Sequence, residues 1–390
     1  MNYKVSHSSN KIQCEIDLPS SKSISNRLLI IQALCKEKFN IINLSDSDDT
    51  IVLQETLSNV SSVFDLKDSG TALRFLTSYF SISKGSEIVL TGSSRLRERP
   101  IKDLVSSLKS IGADITYSDV LDFAPIRIKG NNFLKDEVDI NAGVSSQFIS
   151  SLLLIAPIIP NGLKINIIGN VVSRSYIMMT LSLMSHFGID YLWEDNSIII
   201  PEQDYVAKDY IVERDWSCAS FWFQIAALSQ FSEIKLRGLN RHSIQGDSRS
   251  VDIFSDLGVS SDFIDDGLIL RNNSKYNNAP FINIINTPDM YQPLKCSLFA
   301  LNLSSEIVGL DTLPHKETNR ILSTEEELSK LNNTKIINTY NDHRMAMSFA
   351  PMCLKFGALQ INNIEVVSKS YRKFWKDLDL AGFKVFALTR

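Results

Sequence analysis

Lys22, Ser23 and Arg27 fall in LPSSKSISNRLLIIQAL, from Leu18 to Leu34, where a serine-rich turn with two cations precedes an apolar helix. Exposed backbone N–H groups and the positive end of the helix dipole favour an anion at such a start, and the charges of Lys22 and Arg27 add to them. Ser23 and Arg27 are four residues apart and share a helix face. The alternative is an ordinary capped helix. The same choice recurs along the chain. In DSGTALRFL, from Asp68, Gly70 leaves room for a ligand beside Thr71 and Arg74. RLRERP puts Arg95, Arg97 and Arg99 at alternate positions, so an extended backbone sends all three to one side, with Pro100 opening the next helix. Those three cations are either an anion site or a solvated edge. Ser145, Ser146 and Gln147 open a strongly apolar helix, and Ser173, Arg174 and Tyr176 precede another.

Carboxylates join the cations in the second half. Asp289, in TPDMYQPLKCSLFA, heads a buried helix as a cap or as a general base. KETNR sets Glu317 and Arg320 three apart on one helical face beside Lys316, which makes a local ion-pair cluster or half of an acid/base and phosphate site. NDHRMAMSFA places Asp342, His343 and Arg344 just ahead of an apolar helix, and VVSKSYRKFW carries Lys369 between a strand and the last helix. One such entrance says little. Their recurrence favours a site for phosphate and carboxylate groups, which arginine meets with paired donors and lysine with a compact charge able to move a proton.

These residues need a scaffold of repeated elements. LKSIGADI, LMSHFGIDY, IFSDLGVS and LDLAGFKVF each end a helical pattern on a glycine suited to a left-handed cap. Strand-like segments follow, such as ITY from Ile115, IRIKG from Ile126, SIII from Ser197 and LILR from Leu268. Between them lie helices apolar on most sides, SSQFISSLLLIA and DWSCASFWFQIAAL. The unit reads as strand, buried helix, strand, amphipathic helix, strand, so an α/β fold built from copies of one unit is predicted.

At 390 residues, two domains are expected, and 44% apolar content supplies two cores. A net charge of −4 argues against a nucleic-acid surface. The apolar run Leu152–Ile159 is too short for a membrane span, and the first residues do not resemble a signal peptide, so a cytoplasmic protein is expected. The five cysteines, Cys14, Cys35, Cys218, Cys296 and Cys353, lack metal-ligand spacing and read as reduced core residues.

The phrases LPSSKSISNR, SGTALRFL, LTGSSRLRERP, SSQF, GDSRS, KETNR and TYNDHRMAM, in this order from about Leu18 to Trp375, resemble the 3-phosphoshikimate 1-carboxyvinyltransferase (EPSP synthase) family of enolpyruvyl transferases. The resemblance implies two similar domains, each of three βαβαββ repeats in an inside-out α/β barrel, with the active site in the cleft between them. One domain would span residues 21–212; the other would combine 1–20 with 213–390. It also implies transfer of the enolpyruvyl group of phosphoenolpyruvate to the 5-hydroxyl of shikimate 3-phosphate in chorismate and aromatic amino acid biosynthesis, by a monomer without metal or organic cofactor.

By resemblance, shikimate 3-phosphate contacts fall on Lys22, Ser23, Arg27, Ser145, Ser146, Gln147, Ser173, Tyr176, Asp289 and Lys316. Phosphoenolpyruvate contacts fall on Lys22, Gly70, Arg99, Gln147, Glu317, Arg320, His343, Arg344 and Lys369. Lys22, Asp289, Glu317 and His343 form the catalytic set, with Asp289 as base and Glu317, assisted by Lys22, as proton donor. Some positions depart from the family pattern. Asp68 and Ser69 replace Asn-Ala, Ser175 replaces a usual proline, Asn319 replaces the Asp of KETDR, and Arg372 stands where proline is common. Thr312 occupies the position of an asparagine that contacts the shikimate phosphate.

The UDP-N-acetylglucosamine enolpyruvyl transferases share the fold and the donor. They carry Lys-Asn where this chain has Lys22-Ser23, and a cysteine-bearing loop for which no cysteine between Cys35 and Cys218 is available. A non-catalytic binding protein is a further alternative, against which the joint presence of Lys22, Asp289, Glu317 and His343 argues.

Overall fold

Parallel strands need a crossover, usually a helix, and a crossover helix that is apolar all round must be covered on every side. The computed structural model describes residues 1–143, 145–276 and 281–388, and there the chain divides into two units, Lys22–Val212 and Met1–Ser21 with Glu213–Arg390. Residues 389 and 390, the end of the expected second domain, lie outside the described residues.

In Lys22–Val212, one sheet runs Val63–Asp65, Glu87–Thr91, Ile126–Lys129, Asp114–Tyr117, and a second runs Glu137–Asn141, Leu163–Ile168, Ser197–Ile200, Leu192–Glu194. In each, the first pair is parallel and the other two are antiparallel. The other unit repeats this pattern in Lys11–Asp17, Phe231–Arg237, Gly267–Tyr276, Leu257–Ile264 and in Ile336–Ile337, Leu359–Asn362, Asn2–Ser6, Lys384–Leu388. The remaining sheet in each unit has only two strands, both parallel pairs: Ile41–Ile42 with Tyr210–Ile211, and Phe281–Asn283 with Glu306–Val308. The α/β class read from the sequence therefore holds.

The bridging helices are Gly70–Ile82, Ser146–Ile155, Trp216–Leu228, Tyr291–Leu301 and His343–Phe349. Every residue of Ser146–Ile155 except Gln147 is buried, and every residue of Trp216–Leu228 except Ser217. Each of these helices starts just past the carboxyl end of the first strand of a parallel pair, the end where open α/β sheets bind ligands. That placement explains why polar residues crowd the helix starts while the bodies are apolar. Gly112 and Gly188, at φ +119 and +84, take the left-handed turn expected after Lys102–Ser110 and Arg174–His186.

One local expectation fails. Arg95, Arg97 and Arg99 do not alternate along a strand, because Ser93 caps a helical turn, Ser94–Arg97, by accepting from the Leu96 N–H, and burial of Leu96 holds that turn against the unit. Of the three arginines only Arg99 is buried. Pro100 does not open the next helix, which begins at Lys102. The five cysteines are free thiols: Cys218, Cys296 and Cys353 buried, Cys14 and Cys35 half-buried. Among the described residues, no helix is long and apolar enough to cross a membrane and no His/Cys/Asp/Glu group suits a metal ion.

Candidate active site

The helix Lys22–Leu34 begins at Lys22 itself, whose Nζ lies 3.1 Å from the buried Asp49 carboxylate on Asp48–Ser58. That pair holds the ammonium at the helix start. Arg27 lies deeper. Its Nε donates to Thr180 Oγ1 (2.7 Å), Nη1 to the Ser23 carbonyl (2.8 Å), and Nη2 to Ser150 Oγ (3.2 Å) and the Tyr176 carbonyl (3.3 Å). Burial lowers its pKa to about 10, still far above neutrality. Arg27 thus ties its helix to Ser146–Ile155 and Arg174–His186, and it positions Ser23 and Tyr176 through their backbones.

Beside this group, Ser69 caps Gly70–Ile82, and Gly70 is packed by guanidinium groups: a Cβ there would lie 2.4 Å from Arg99 Nη1 and 2.5 Å from Arg74 Nη1. Arg74 Nη1 donates to Gln147 Oε1 (3.0 Å) while Gln147 Nε2 donates to Thr71 Oγ1 (3.1 Å), so the amide orientation is set from both ends. Ser145 caps its helix by accepting from the Gln147 N–H. Ser146 is buried next to it. Ser173 precedes Arg174–His186 in the left-handed region, and Arg174 and Tyr176 fall inside the first turn of that helix.

In the other unit, Asp289 is not a helix cap. It sits in the turn Pro288–Met290, and its carboxylate meets three cations: Arg344 Nη2 at 2.9 Å, Arg320 Nη1 at 2.9 Å and Lys316 Nζ at 3.5 Å. Arg344 Nη1 also donates to the Asp289 carbonyl. Burial alone would raise the Asp289 carboxyl, but Arg344, Lys316 and Arg320 together hold it well below the usual carboxylate range. Arg320 is buried and bonds three carboxylates, Asp289, Glu317 (2.9 Å) and Asp342 (2.7 Å). Burial lowers its pKa, yet the three carboxylates reverse that and raise it.

Asn319 caps the helix Arg320–Lys330, so Glu317 lies just outside it and not along one of its faces. Glu317 also faces Lys369 Nζ at 3.3 Å. Asp342 caps His343–Phe349 through the Arg344 N–H, and its Oδ1 lies 3.6 Å from His343 Nδ1. Thr312, at the start of the turn before Lys316, is buried.

The structure thus brings together Asp289, Lys316, Glu317, Arg320, His343, Arg344 and Lys369 in one unit, and Gly70, Arg99 and Gln147 in the other, where Lys22, Ser23, Arg27 and Tyr176 form a neighbouring group. A carboxylate held ionised among cations can accept a proton, and the surrounding guanidinium groups match carboxylate and phosphate oxygens.

The sequence model described as EPSP synthase (3-phosphoshikimate 1-carboxyvinyltransferase) matches residues 7–61 and 51–378. The chain is 41% identical to the 3-phosphoshikimate 1-carboxyvinyltransferase of Bacteroides fragilis strain YCH46, over 96% of this chain and 97% of that one. The chain belongs to the EPSP synthase family. The enzyme of the same name from Vibrio campbellii is 32% identical over 95% of this chain and 97% of its own length. The solved EPSP synthase of Acinetobacter baumannii shares the fold, with a TM-score of 0.78 at 18% identity, covering 99% of this chain and 100% of that one.

The EPSP synthase motifs left several participants unread. Arg74 was visible as a lone cation in the apolar run ALRFL, a position where burial demands a partner, but Gln147 lies 73 residues away. Asp49 gave no such signal, since acidic residues are ordinary at a helix start. Asp342 precedes a helix in the sequence, and its pairing with Arg320 depends on tertiary packing.

Gly70 yields a direct expectation. In Gly70→Ala the added methyl displaces the flexible ends of Arg99 and Arg74, not backbone, so the fold survives and the anion-binding geometry does not. Steady-state kinetics should give a KM for phosphoenolpyruvate raised about tenfold, equivalent to about 1.4 kcal/mol, with an unchanged melting temperature.

Proposed function

We propose that these residues carry out the reaction that names the family. The enolpyruvyl group of phosphoenolpyruvate passes to the 5-hydroxyl of shikimate 3-phosphate, giving 5-enolpyruvylshikimate 3-phosphate and phosphate on the way to chorismate and the aromatic amino acids. The observation that carries this reading is the Asp289 carboxylate, kept ionised by Arg344, Arg320 and Lys316.

Asp289 takes the proton of the 5-hydroxyl as its oxygen bonds C2 of phosphoenolpyruvate, and Glu317, assisted by Lys22, protonates the methylene carbon. The C2–phosphate bond then breaks, the new methyl group returns a proton, and phosphate leaves with the enol ether restored. Arg99, Arg320, Arg344 and Lys369 offset the repulsion between two anionic substrates and stabilise the departing phosphate. His343 adds a hydrogen-bonding group at the head of its helix. Ser23, Arg27, Ser145, Ser146, Gln147, Ser173, Tyr176 and Lys316 hold the shikimate ligand, while Gly70 gives phosphoenolpyruvate room.

Asp289 starts as a weak base because cations hold its proton affinity down. Incoming phosphate and carboxylate groups compete for Arg344 and Arg320, weaken that hold, and raise the basicity of Asp289 when the substrates are in place. The shared pairing of the four-stranded sheets supports reading each unit as three βαβαββ copies, with one copy reduced to a parallel pair. A monomer in a cytoplasmic setting suits the small anionic metabolites of this reaction.

Lys22→Met tests the reading. Turnover should fall by about 10²–10⁴, the range for a lost proton-transfer group, with the fold retained by circular dichroism. Normal turnover would remove Lys22 from the mechanism.

A further inference from the structure

Outside the groups assigned above, one buried carboxyl stands out for its surroundings. Asp247 lies in the turn Gly246–Arg249 and is almost fully buried. Ser217 Oγ, from the first turn of Trp216–Leu228, donates to Asp247 Oδ2 at 2.5 Å. The other carboxyl oxygen, Oδ1, is buried and has no hydrogen-bond partner among the described residues. Ser250 Oγ donates to the Asp247 carbonyl (2.7 Å) and touches Met290 Sδ at 3.6 Å, so the turn bearing Asp247 is seated against the turn bearing Asp289. The charged groups that act on Asp247 are Asp289, Asp215 at the cap of Trp216–Leu228, and Arg344. No cation pairs with it among the described ion pairs, in contrast to Asp289.

We propose that Asp247 is a positioning residue that sets the proton affinity of Asp289: when ionised, it repels the Asp289 charge and makes that carboxylate a stronger base. The inference rests on Asp289 being the general base. Burial first, and then the Asp289 charge, push the Asp247 carboxyl up to about 7, with the Ser217 hydrogen bond and Arg344 pulling the other way. Asp247 therefore changes charge around neutrality, while Asp289 stays ionised. As pH rises and Asp247 loses its proton, Asp289 gains basicity, and turnover rises through an additional step.

The test is the rate of phosphate release by the full chain, saturated with phosphoenolpyruvate and shikimate 3-phosphate, from about pH 6 to about pH 9. Asp247→Asn should keep the bond to Ser217, lose the step near neutrality, and run about tenfold slower at the alkaline end. Ser217→Ala keeps both carboxyls but removes a hydrogen bond that favours the ionised form, so its step should move to higher pH. A folded Asp247→Asn chain with the wild-type pH profile overturns the proposal, as does an unmoved step in Ser217→Ala. If Asp247→Asn fails to fold, Ser217→Ala decides alone. Asp289→Asn separates the two readings: normal turnover there removes the general base itself, whereas loss there with a normal Asp247→Asn profile removes only the role of Asp247.

Discussion

Asp289→Asn should lower kcat by about 10³ and leave the protein folded, because the substitution removes a proton acceptor without removing the shape that Arg344 and Arg320 grip. The amide oxygen can still accept from Arg344 Nη2 or Arg320 Nη1, each 2.9 Å from the carboxylate in the parent chain. Lys316, Arg320 and Arg344 become more available to anions once the competing negative charge is gone, so KM for both substrates should hold or fall. A drop in kcat with unchanged or lower KM is the signature of a group needed in the transition state, not for uniform binding. Steady-state kinetics with circular dichroism check this, and parent-like kcat would strip Asp289 of the role of base.

Arg320→Met should produce the largest loss of stability of any single change in the site. Arg320 is buried and joins Asp289, Glu317 and Asp342, and an apolar replacement leaves three carboxylates facing one another without it. Removing one partner from a buried ion-pair network costs about 3–5 kcal/mol, which urea unfolding at neutral pH would register. The pH dependence follows from the lowered pKa of Asp289. A carboxyl depressed on folding contributes stability above its unfolded pKa and loses it as pH falls through the depressed value. The gap between parent and variant should therefore be widest near neutrality and narrow in strong acid. An equal gap at all pH values would assign the loss to packing.

Much of the charged cluster was legible because its residues sit in short phrases near helix starts. Here the helices between parallel strands are buried along most of their bodies, so the polar groups gather at their starts, as Ser145–Gln147 and His343–Arg344 do, or in the turn just before, as Asp289 does. What stayed hidden were partners chosen in three dimensions. Arg74 with Gln147 and Lys22 with Asp49 pair across long stretches of chain, and nothing in either segment specifies the other. Arg27 shares a helix face with Ser23, but nothing in its own segment specifies Thr180, Ser150 or the Tyr176 carbonyl, to which its guanidinium also donates.

RLRERP misled for a different reason. Its period-two charges suit a strand, but the cap from Ser93 and the burial of Leu96 favour a helical turn, and tertiary packing overrides a short pattern. The repeat was visible in the sequence of helix ends and strands. The shortening of one sheet in each unit to two strands was not, because Ile41–Ile42 and Tyr210–Ile211 are too brief to carry an alternation.

The central claim is that this chain joins phosphoenolpyruvate to shikimate 3-phosphate, and phosphate release with each substrate alone and with both together tests it most directly. Release only when both are present, matched mole for mole by 5-enolpyruvylshikimate 3-phosphate, is the predicted result. No release above background with both substrates present would contradict it and leave a protein that only binds phosphorylated metabolites.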